Sequence, residues 1–385
     1  MVTHPYDRAR SLVAAEVAAL DARLEDLLEK QRSYVSDAEL AFYRGGKRLR
    51  PLLLLLSAHA AARTPVDVLP EKAVAAAVSL ELAHVGSLIH DDIVDRAPTR
   101  RGMPTVSASR GYELALIIGD LQWVQATRTM SDHVETREDI ALMRDFLASG
   151  EEMCRGQLDE MLATGPGDRS ELVRRYFRTV DRKTGRLVAF ACESGARLAG
   201  GLPSVVGGLR RFGGWLGRAF QVVDDVLDVV RPESAAGKEP LTDLRQGRLS
   251  LPLLYTLDDL PGDHPLHKIT DGRPLSEDEL EDGIRLLRHG NGWVRALGDA
   301  RAIVTTARAE LALLPGGPHR DALDALAAHL VDQPFLDSYG TATACSSEKG
   351  HPRSPQRSSR KGRGRPRCPR WGWQRRKGSR AAADQ

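Results

Sequence analysis

Residues 71–97, EKAVAAAVSLELAHVGSLIHDDIVDRA, are apolar on nearly every side along most of their length and then close on three carboxylates, Asp91, Asp92 and Asp95. A helix that is apolar all round belongs inside a larger assembly of helices, and unpaired charge placed there is costly. A fold for this chain must therefore bury the helix and also give its carboxylates something to balance them. Residues 219–230, AFQVVDDVLDVV, repeat the pattern with Asp224, Asp225 and Asp228 at the same spacing, 133 positions later. Nothing else in the two segments matches, so a duplicated stretch of chain does not explain the pair.

The rest of the sequence is helical in rhythm. Leu12, Val13, Val17, Leu20, Leu24, Leu27 and Leu28 make one face of a first helix, residues 186–200, 209–230 and 248–259 read as further helices, and no comparable period-two alternation is present. Pro98 bounds the helix over 71–97, and breaks fall at the Gly/Pro-rich TGPGD (164–168), GGLPS (200–204), RPESAAGKEP (231–240) and LPGDHP (260–265). The expected fold is all-α, a bundle of about ten or more helices in one domain. Periodicity stops after Tyr339, where a Pro/Gly/Ser/Arg tract cannot form a core, so the boundary is set near 340 between a helical domain, 1–340, and a disordered basic tail, 341–385.

Charge divides at the same place. The tail carries 13 of the 55 Lys/Arg and 2 of the 52 Asp/Glu, which leaves a mildly acidic body beneath a net charge of +3. Cys154, Cys192, Cys345 and Cys368 show neither paired nor zinc-binding spacing, which suits free thiols in a reducing compartment and leads us to expect a cytoplasmic protein. The first residues, MVTHPYDRARS, lack an apolar signal core, and the leucine run 52–56 is far below the ~20 residues of a membrane span, so no integral membrane contact is expected.

Residues four apart on a helix share a face, with Cβ atoms ~5–6 Å apart, so Asp91 projects with Asp95 and Asp224 with Asp228, while Asp92 and Asp225 sit beside those faces. Anions clustered among apolar residues raise one another's pKa values unless cations neutralise them. Magnesium is the natural cation, because it takes oxygen ligands and is held by one or two carboxylates while substrate phosphates complete its shell. A single such cluster is equally well explained as a solvated helix end capped by arginines; two with matching apolar flanks point to a polyphosphate ligand.

Basic residues suited to that ligand are spread along the chain. YRGGKRLRP (43–51) offers Lys47, Arg48 and Arg50 behind two glycines, with Pro51 suited to a first helical turn. Taken alone, this is a solvated basic turn. Arg100 and Arg101 follow Asp91 closely enough to fold back on a ligand held there, and His84 lies two helical turns before Asp91 on the same side. A lone helical histidine is more often a satisfied core residue. Lys183 and Thr184 in DRKTGRL, Gln221 ahead of the second cluster, and Lys238 and Arg248 in GKEPLTDLRQGRLSLP add donors and cations. Two acidic clusters and several separate basic groups imply two anionic ligands, one bridged by metal and one held by Lys and Arg.

GGKRLRP, HVGSLIHDDIVDRAPTRRGMPT, KTGRL, FQVVDDVLD and GKEPLTDLRQGRLSLP, in this order, resemble the trans-polyprenyl diphosphate synthases, the all-α isoprenyl chain elongases, over roughly residues 10–335. The resemblance implies an isoprenoid-synthase-type helical bundle around a central cavity and a homodimer. It implies that Asp91, Asp92, Asp95, Asp224, Asp225 and Asp228 bind Mg2+ bridging an allylic diphosphate. Lys47, Arg50, His84 and Arg101 would hold isopentenyl diphosphate, and Arg100, Lys183, Thr184, Gln221 and Lys238 would contact the allylic substrate, with Arg248 nearby. Arg248 stands where the family often has Lys, GKEPLTDL lacks a glycine common in that loop, and the basic tail is no part of the family pattern.

Such a site implies ionisation, condensation and elimination. Metal ions and cationic side chains stabilise the departing diphosphate, while Thr184 and Gln221 turn oxygens toward an allylic cation in a dry cavity. Isopentenyl diphosphate would then attack and lose a proton to the released diphosphate. Product length depends on residues deeper along the first acidic helix. Gly86 and Ser87, where the family's short-chain members carry aromatics, are small here, as is Ala83 one turn below, and the first motif lacks the two-residue insertion of many bacterial farnesyl synthases. A product of C20 or longer is expected.

Rival readings make different demands. A class I terpene cyclase usually carries Asn, Ser and Glu in its second metal motif and needs no separate site like GGKRLRP. A non-catalytic subunit of a heteromeric synthase is expected to lose aspartates, and here all six are present. In the tail, KGRGRPR (361–367) resembles the AT-hook, whose Arg-Gly-Arg-Pro core enters the minor groove of A·T-rich DNA. Arg-rich extensions are common, so the tail is read as solvated and nucleic-acid binding as the alternative.

Overall fold

The protein is described by a computed structural model covering residues 4–36, 46–64, 66–100, 102–162, 167–231 and 241–332. Arg101, Lys238, the boundary expected near 340 and the basic tail lie outside the described residues. Among the described residues the helices of eight or more residues are α1 (Pro5–Leu12), α2 (Ala14–Glu29), α3 (Leu49–Ala61), α4 (Glu71–Val94), α5 (Tyr112–Ser131), α6 (Arg137–Met161), α7 (Arg169–Val180), α8 (Arg186–Leu198), α9 (Pro203–Val230), α10 (Leu251–Asp258), α11 (Glu277–His289), α12 (Gly292–Glu310) and α13 (Pro318–Val331). The only β structure among the described residues is a two-residue antiparallel ladder, β1 (Thr99–Arg100) with β2 (Met103–Pro104), turned by Gly102 at φ 77°. The all-α expectation holds.

Two boundaries differ from the sequence reading. The first apolar stripe is carried by two helices, because Val13 leaves helical geometry at φ −127°, ψ 34°; Val17, Leu20, Leu24 and Leu28 still form the buried face of α2. Helix α9 begins at Pro203 rather than at 209, since proline needs no hydrogen-bond acceptor at a first turn. Its glycines let neighbouring backbones approach: a Cβ on Gly213 would lie 2.6 Å from the carbonyl oxygen of Val188 in α8.

Helix α4 runs through the protein between α5 and α3, and α9 packs between α8 and α12. By length and composition α4 is apolar enough to cross a membrane, yet 78% of its most apolar stretch is buried inside the protein, as befits the core helix of a bundle. The five leucines 52–56 are likewise buried in α3. The bundle thus carries both acidic clusters on interior helices, the first at the C-terminal end of α4 and the second in the last turns of α9.

Candidate active site

At the end of α4 the Asp95 N–H donates to the Asp91 carbonyl at 2.8 Å, which keeps both carboxylates on one face. The chain turns through Arg96, at φ 50°, and the β1–β2 ladder brings Arg100 back. Its Nε donates to Asp92 Oδ1 at 2.8 Å and Oδ2 at 3.0 Å, so the buried Asp92 is matched by a guanidinium. Burial raises the Asp91 carboxyl above its ordinary range; Lys183 opposes the shift and Asp95 adds to it.

On α9, Asp225 is buried and accepts hydrogen bonds from the Tyr176 hydroxyl of α7 at 2.6 Å and from Gln221 Nε2 at 2.9 Å. Gln221 in turn accepts at Oε1 from the Thr184 hydroxyl, 3.0 Å away, so three expected site residues form one chain. Burial pushes Asp225 up to about 7 against the pull of those two donors. Asp228 accepts the backbone N–H of Asp243 at 3.1 Å, and burial raises the carboxyls of both. Asp224 is exposed.

Lys183 and Thr184 stand on a π-helical turn, Asp181–Gly185, between α7 and α8. Turns of this kind are rare and often mark functional sites. Glycines on two sides admit it: a Cβ on Gly156 of α6 would lie 2.6 Å from the Lys183 nitrogen, and one on Gly217 of α9 2.8 Å from the Gly185 Cα. Lys183 Nζ pairs with Glu160 Oε2 at 2.7 Å. Burial works against that charge, and Glu160 and Asp91 outweigh it, leaving the ammonium more basic than usual. Arg248, beyond α9, pairs with Asp95, and Gln246 Nε2 donates to the Asp95 carbonyl at 3.1 Å. Glu160 acts electrostatically on Asp91, Asp225 and Asp243 alike. The two clusters therefore share one environment, with Lys183 and Arg248 between them.

The GGKRLRP segment divides. Arg48 is buried and pairs with Glu81 of α4 at 2.7 Å, which removes it from the set of cations offered to a ligand. Lys47 is exposed. Arg50 is half-buried, with a buried Nε that has no hydrogen-bond partner; desolvation of the guanidinium lowers its pKa while Glu81 and Asp91 support its charge. His84 is half-buried on α4, and Ser87 closes its hydroxyl onto the His84 carbonyl at 2.7 Å. Ala83 and Gly86 are buried. Gly86 corrects an expectation: it faces α5, where a Cβ would lie 2.9 Å from both the Gly119 carbonyl oxygen and Trp123 Cδ1, so a Phe there would part the helices before reaching any cavity.

The donor set fits a hard divalent cation in its chemistry. Asp91, Asp225, Asp228 and Asp243 are oxygen ligands whose burial leaves them short of positive charge. Among the described residues no three such side chains are drawn together on one point. Several are turned to protein partners instead: Asp92 to Arg100, Asp95 to Arg248 and Asp225 to Tyr176. The orphaned Arg50 Nε likewise fits an anion.

A family model described as polyprenyl synthetase matches residues 33–287. The chain belongs to the polyprenyl synthetase family. The nonaprenyl diphosphate synthase of Mycobacterium tuberculosis is 33% identical over 333 residues, 85% of this chain and 96% of that protein. The heptaprenyl diphosphate synthase component 2 of Geobacillus stearothermophilus is 34% identical over 250 residues, 65% of this chain and 75% of that one. Among solved structures, a polyprenyl synthase from Caulobacter crescentus, complexed with calcium and isoprenyl diphosphate, superposes with a TM-score of 0.73 at 25% identity, covering 85% of this chain and 98% of its own. This polyprenyl synthetase is thus a prenyltransferase, a trans-prenyl diphosphate synthase, and the cyclase reading is set aside.

Three residues of the synthetase's site escaped the sequence reading. Tyr176 sits at i+4 from Leu172 and i−4 from Val180 on the buried face of α7, so its spacing announced only a core residue, although a buried hydroxyl needs a partner. Glu160 and Asp243 carry no local signal that sets them apart, and only the tertiary fold brings them to Lys183 and Asp228.

Proposed function

We propose that this synthetase uses Mg2+ held between its two aspartate clusters to elongate an allylic diphosphate with isopentenyl diphosphate, giving an all-trans product of C20 or longer. The observation that carries this is the shared charge environment in which Asp91 and Asp95 of α4 meet Lys183, Glu160 and Arg248 beside Asp225 and Asp228 of α9. Asp91, Asp92, Asp95, Asp224, Asp225 and Asp228 would hold Mg2+, which when bound would supply positive charge to the leaving diphosphate. Lys183 and Arg100 bind the same diphosphate through charge-assisted hydrogen bonds, which requires Arg100 to exchange part of its pairing with Asp92. The Thr184–Gln221 chain turns oxygen dipoles toward the allylic cation. Arg50, with its free Nε, and Lys47 hold isopentenyl diphosphate together with His84 and Arg101. Lys238, outside the described residues, is assigned a contact to the allylic diphosphate on the sequence motif alone. The small residues Ala83 and Ser87 leave α4 without a bulky barrier, which supports a long product.

A homodimer in the cytoplasm is part of the same proposal. Its support is the exposed apolar set Tyr112, Leu116, Ile117 and Val124 on α5 with Leu147 on α6. The relative whose name designates one component of a synthase favours a second assembly, with a different chain on that face. Residues 341–385 are proposed to be a solvated extension outside the catalytic domain. The test is incubation of purified protein with Mg2+, isopentenyl diphosphate and each allylic diphosphate in turn, with chromatography of the dephosphorylated products and light scattering of the enzyme. Linear products of C20 or longer from a dimer of one chain support the reading. Shorter products overturn the length, and no condensation by folded protein favours the two-component assembly.

A further inference from the structure

We propose that Asp181 and Arg218 are positioning residues of this synthetase: their ion pair fixes the register of the π-helical turn against α9 and so aims Thr184 and Lys183 at the allylic diphosphate. The proposal rests on the chain-elongation reading above and deepens it. Two rungs join the turn to α9. In the first, Arg218 Nε donates to Asp181 Oδ1 at 2.8 Å while Nη2 donates to Oδ2, a bidentate pair. In the second, the Thr184 hydroxyl donates to Gln221 Oε1 at 3.0 Å. Each rung bridges the same separation of 37 positions, so the offset between Asp181 and Thr184 on the turn is matched by that between Arg218 and Gln221 on α9. Residues three apart are neighbours on a helix face, so the two rungs lie side by side.

The guanidinium is held from both sides of this junction. Its Cζ lies 5.2 Å from the ring centroid of Phe177 on α7 and 4.6 Å from that of Trp215 on α9. A planar fork set against aromatic faces and a bidentate carboxylate is confined to one orientation, which a lysine ammonium does not reproduce. The turn has need of such a fastening. Its backbone closes from the Arg186 N–H to the Asp181 carbonyl, five residues back, and a wide turn of this kind is rare beside the α-helical one. A slip of one residue toward the α-helical register would rotate Thr184 and Lys183 by ~100° about the helix axis, since 3.6 residues make a full turn. Arg182 ties the opposite flank to α6, at 2.7 Å from Asp159 and 3.1 Å from Glu152. The side chains of Asp181 and Arg218 are 43% and 24% exposed, whereas Thr184 is buried. So well solvated a pair adds little to the stability of the fold. Its effect is on where the neighbouring hydroxyl and ammonium point.

The experiment takes the full-length enzyme with Mg2+, isopentenyl diphosphate and the best allylic primer, and compares the wild type with Arg218→Met, Arg218→Lys and Asp181→Asn, and Arg218→Met again in a Thr184→Val background. A misplacement of about 1 Å can cost ~100-fold in rate, so Arg218→Met is expected to lower kcat by ~10-fold or more while KM for isopentenyl diphosphate, which is held by other residues, stays within about twofold. Arg218→Lys keeps the charge without the fork and is expected to recover part of the loss. Asp181→Asn breaks the same rung with the aromatic contacts kept and is expected to lower kcat in the same way. In the Thr184→Val background Arg218→Met is expected to cost less than in the wild type, because a group through which it acts is already gone. A folded Arg218→Met whose kcat stays within about twofold of the wild type overturns the proposal, as does a loss undiminished in the Thr184→Val background or a KM for isopentenyl diphosphate that rises as far as kcat falls. Should Arg218→Met fail to fold, an unchanged kcat in Asp181→Asn overturns it equally. A wild type that condenses no primer refutes the elongation reading and this role with it, an outcome distinct from an active wild type whose kcat is indifferent to residues 181 and 218.

Discussion

Replacing Arg48 with Met separates structural cations from ligand-binding ones in a segment where sequence treats them alike. The guanidinium reaches Glu81 at 2.7 Å and Asp21 at 3.7 Å, and the side chains of Arg48 and Glu81 are only 7% and 6% exposed. Removing one member of a buried pair strands the other and costs ~3–5 kcal/mol, much more than the pair contributes over an apolar substitute. With an unfolding entropy of ~2.1 cal/mol/K per residue, a domain of about 330 residues changes stability by ~0.7 kcal/mol per degree near its midpoint, so the melting temperature is expected to fall by ~4–7 °C. The companion assay is steady-state kinetics at a temperature where both proteins are folded, where KM for isopentenyl diphosphate is expected to stay within about twofold. Arg50→Met is the contrast: its Nε is unpartnered, and its loss is expected to raise that KM by ~10-fold or more, the ~1.4 kcal/mol or more of a charged hydrogen bond. A melting temperature unmoved by Arg48→Met, together with a tenfold rise in KM, would refute the assignment of Arg48 to the fold.

Three further predictions follow from the site. Tyr176→Phe removes a donor that favours the charged form of Asp225, so the Asp225 pKa is expected to rise beyond about 7 and the acid limb of the rate profile to move to higher pH; an unmoved limb contradicts this. In metal-free protein, Asp225 titrates near 7 when folded against ~3.9 when unfolded, so it contributes stability that is full below about pH 4 and lost as pH rises through 7. Asp91, Asp228 and Asp243 shift in the same direction, so metal-free melting temperatures are expected to fall from pH 6 to pH 8 and to recover with Mg2+ and diphosphate; a rise without metal sinks the charge account. Glu160→Gln removes the partner of Lys183 and is expected to lower the Lys183 pKa, bringing a basic limb into the rate profile at a lower pH than in the wild type.

The sequence was most readable where one physical demand dominated. The all-round apolarity of 71–94 required a core helix, and the structure buries it; the i, i+4 spacing put Asp91 with Asp95 on one face, and the Asp95–Asp91 backbone bond holds them there. Thr184 and Gln221, 37 positions apart, were singled out separately and are joined by a hydrogen bond. Features that depend on how helices cross were not readable. Gly86 looked like room for a growing chain and is a close contact with α5. Arg48 looked like Lys47 and Arg50, because nothing local reveals a Glu 33 positions away.

The central claim is that both aspartate clusters act on one diphosphate through divalent cations, and calorimetric titration with an unreactive allylic diphosphate analogue tests it most directly. The wild type, Asp91→Asn and Asp225→Asn are compared with and without Mg2+. Tight binding that needs Mg2+ in the wild type and weakens by ~10-fold or more in either variant, a loss of ~1.4 kcal/mol or more, is the predicted result. Binding that is equally tight without Mg2+, or that depends on one cluster and ignores the other, contradicts the account.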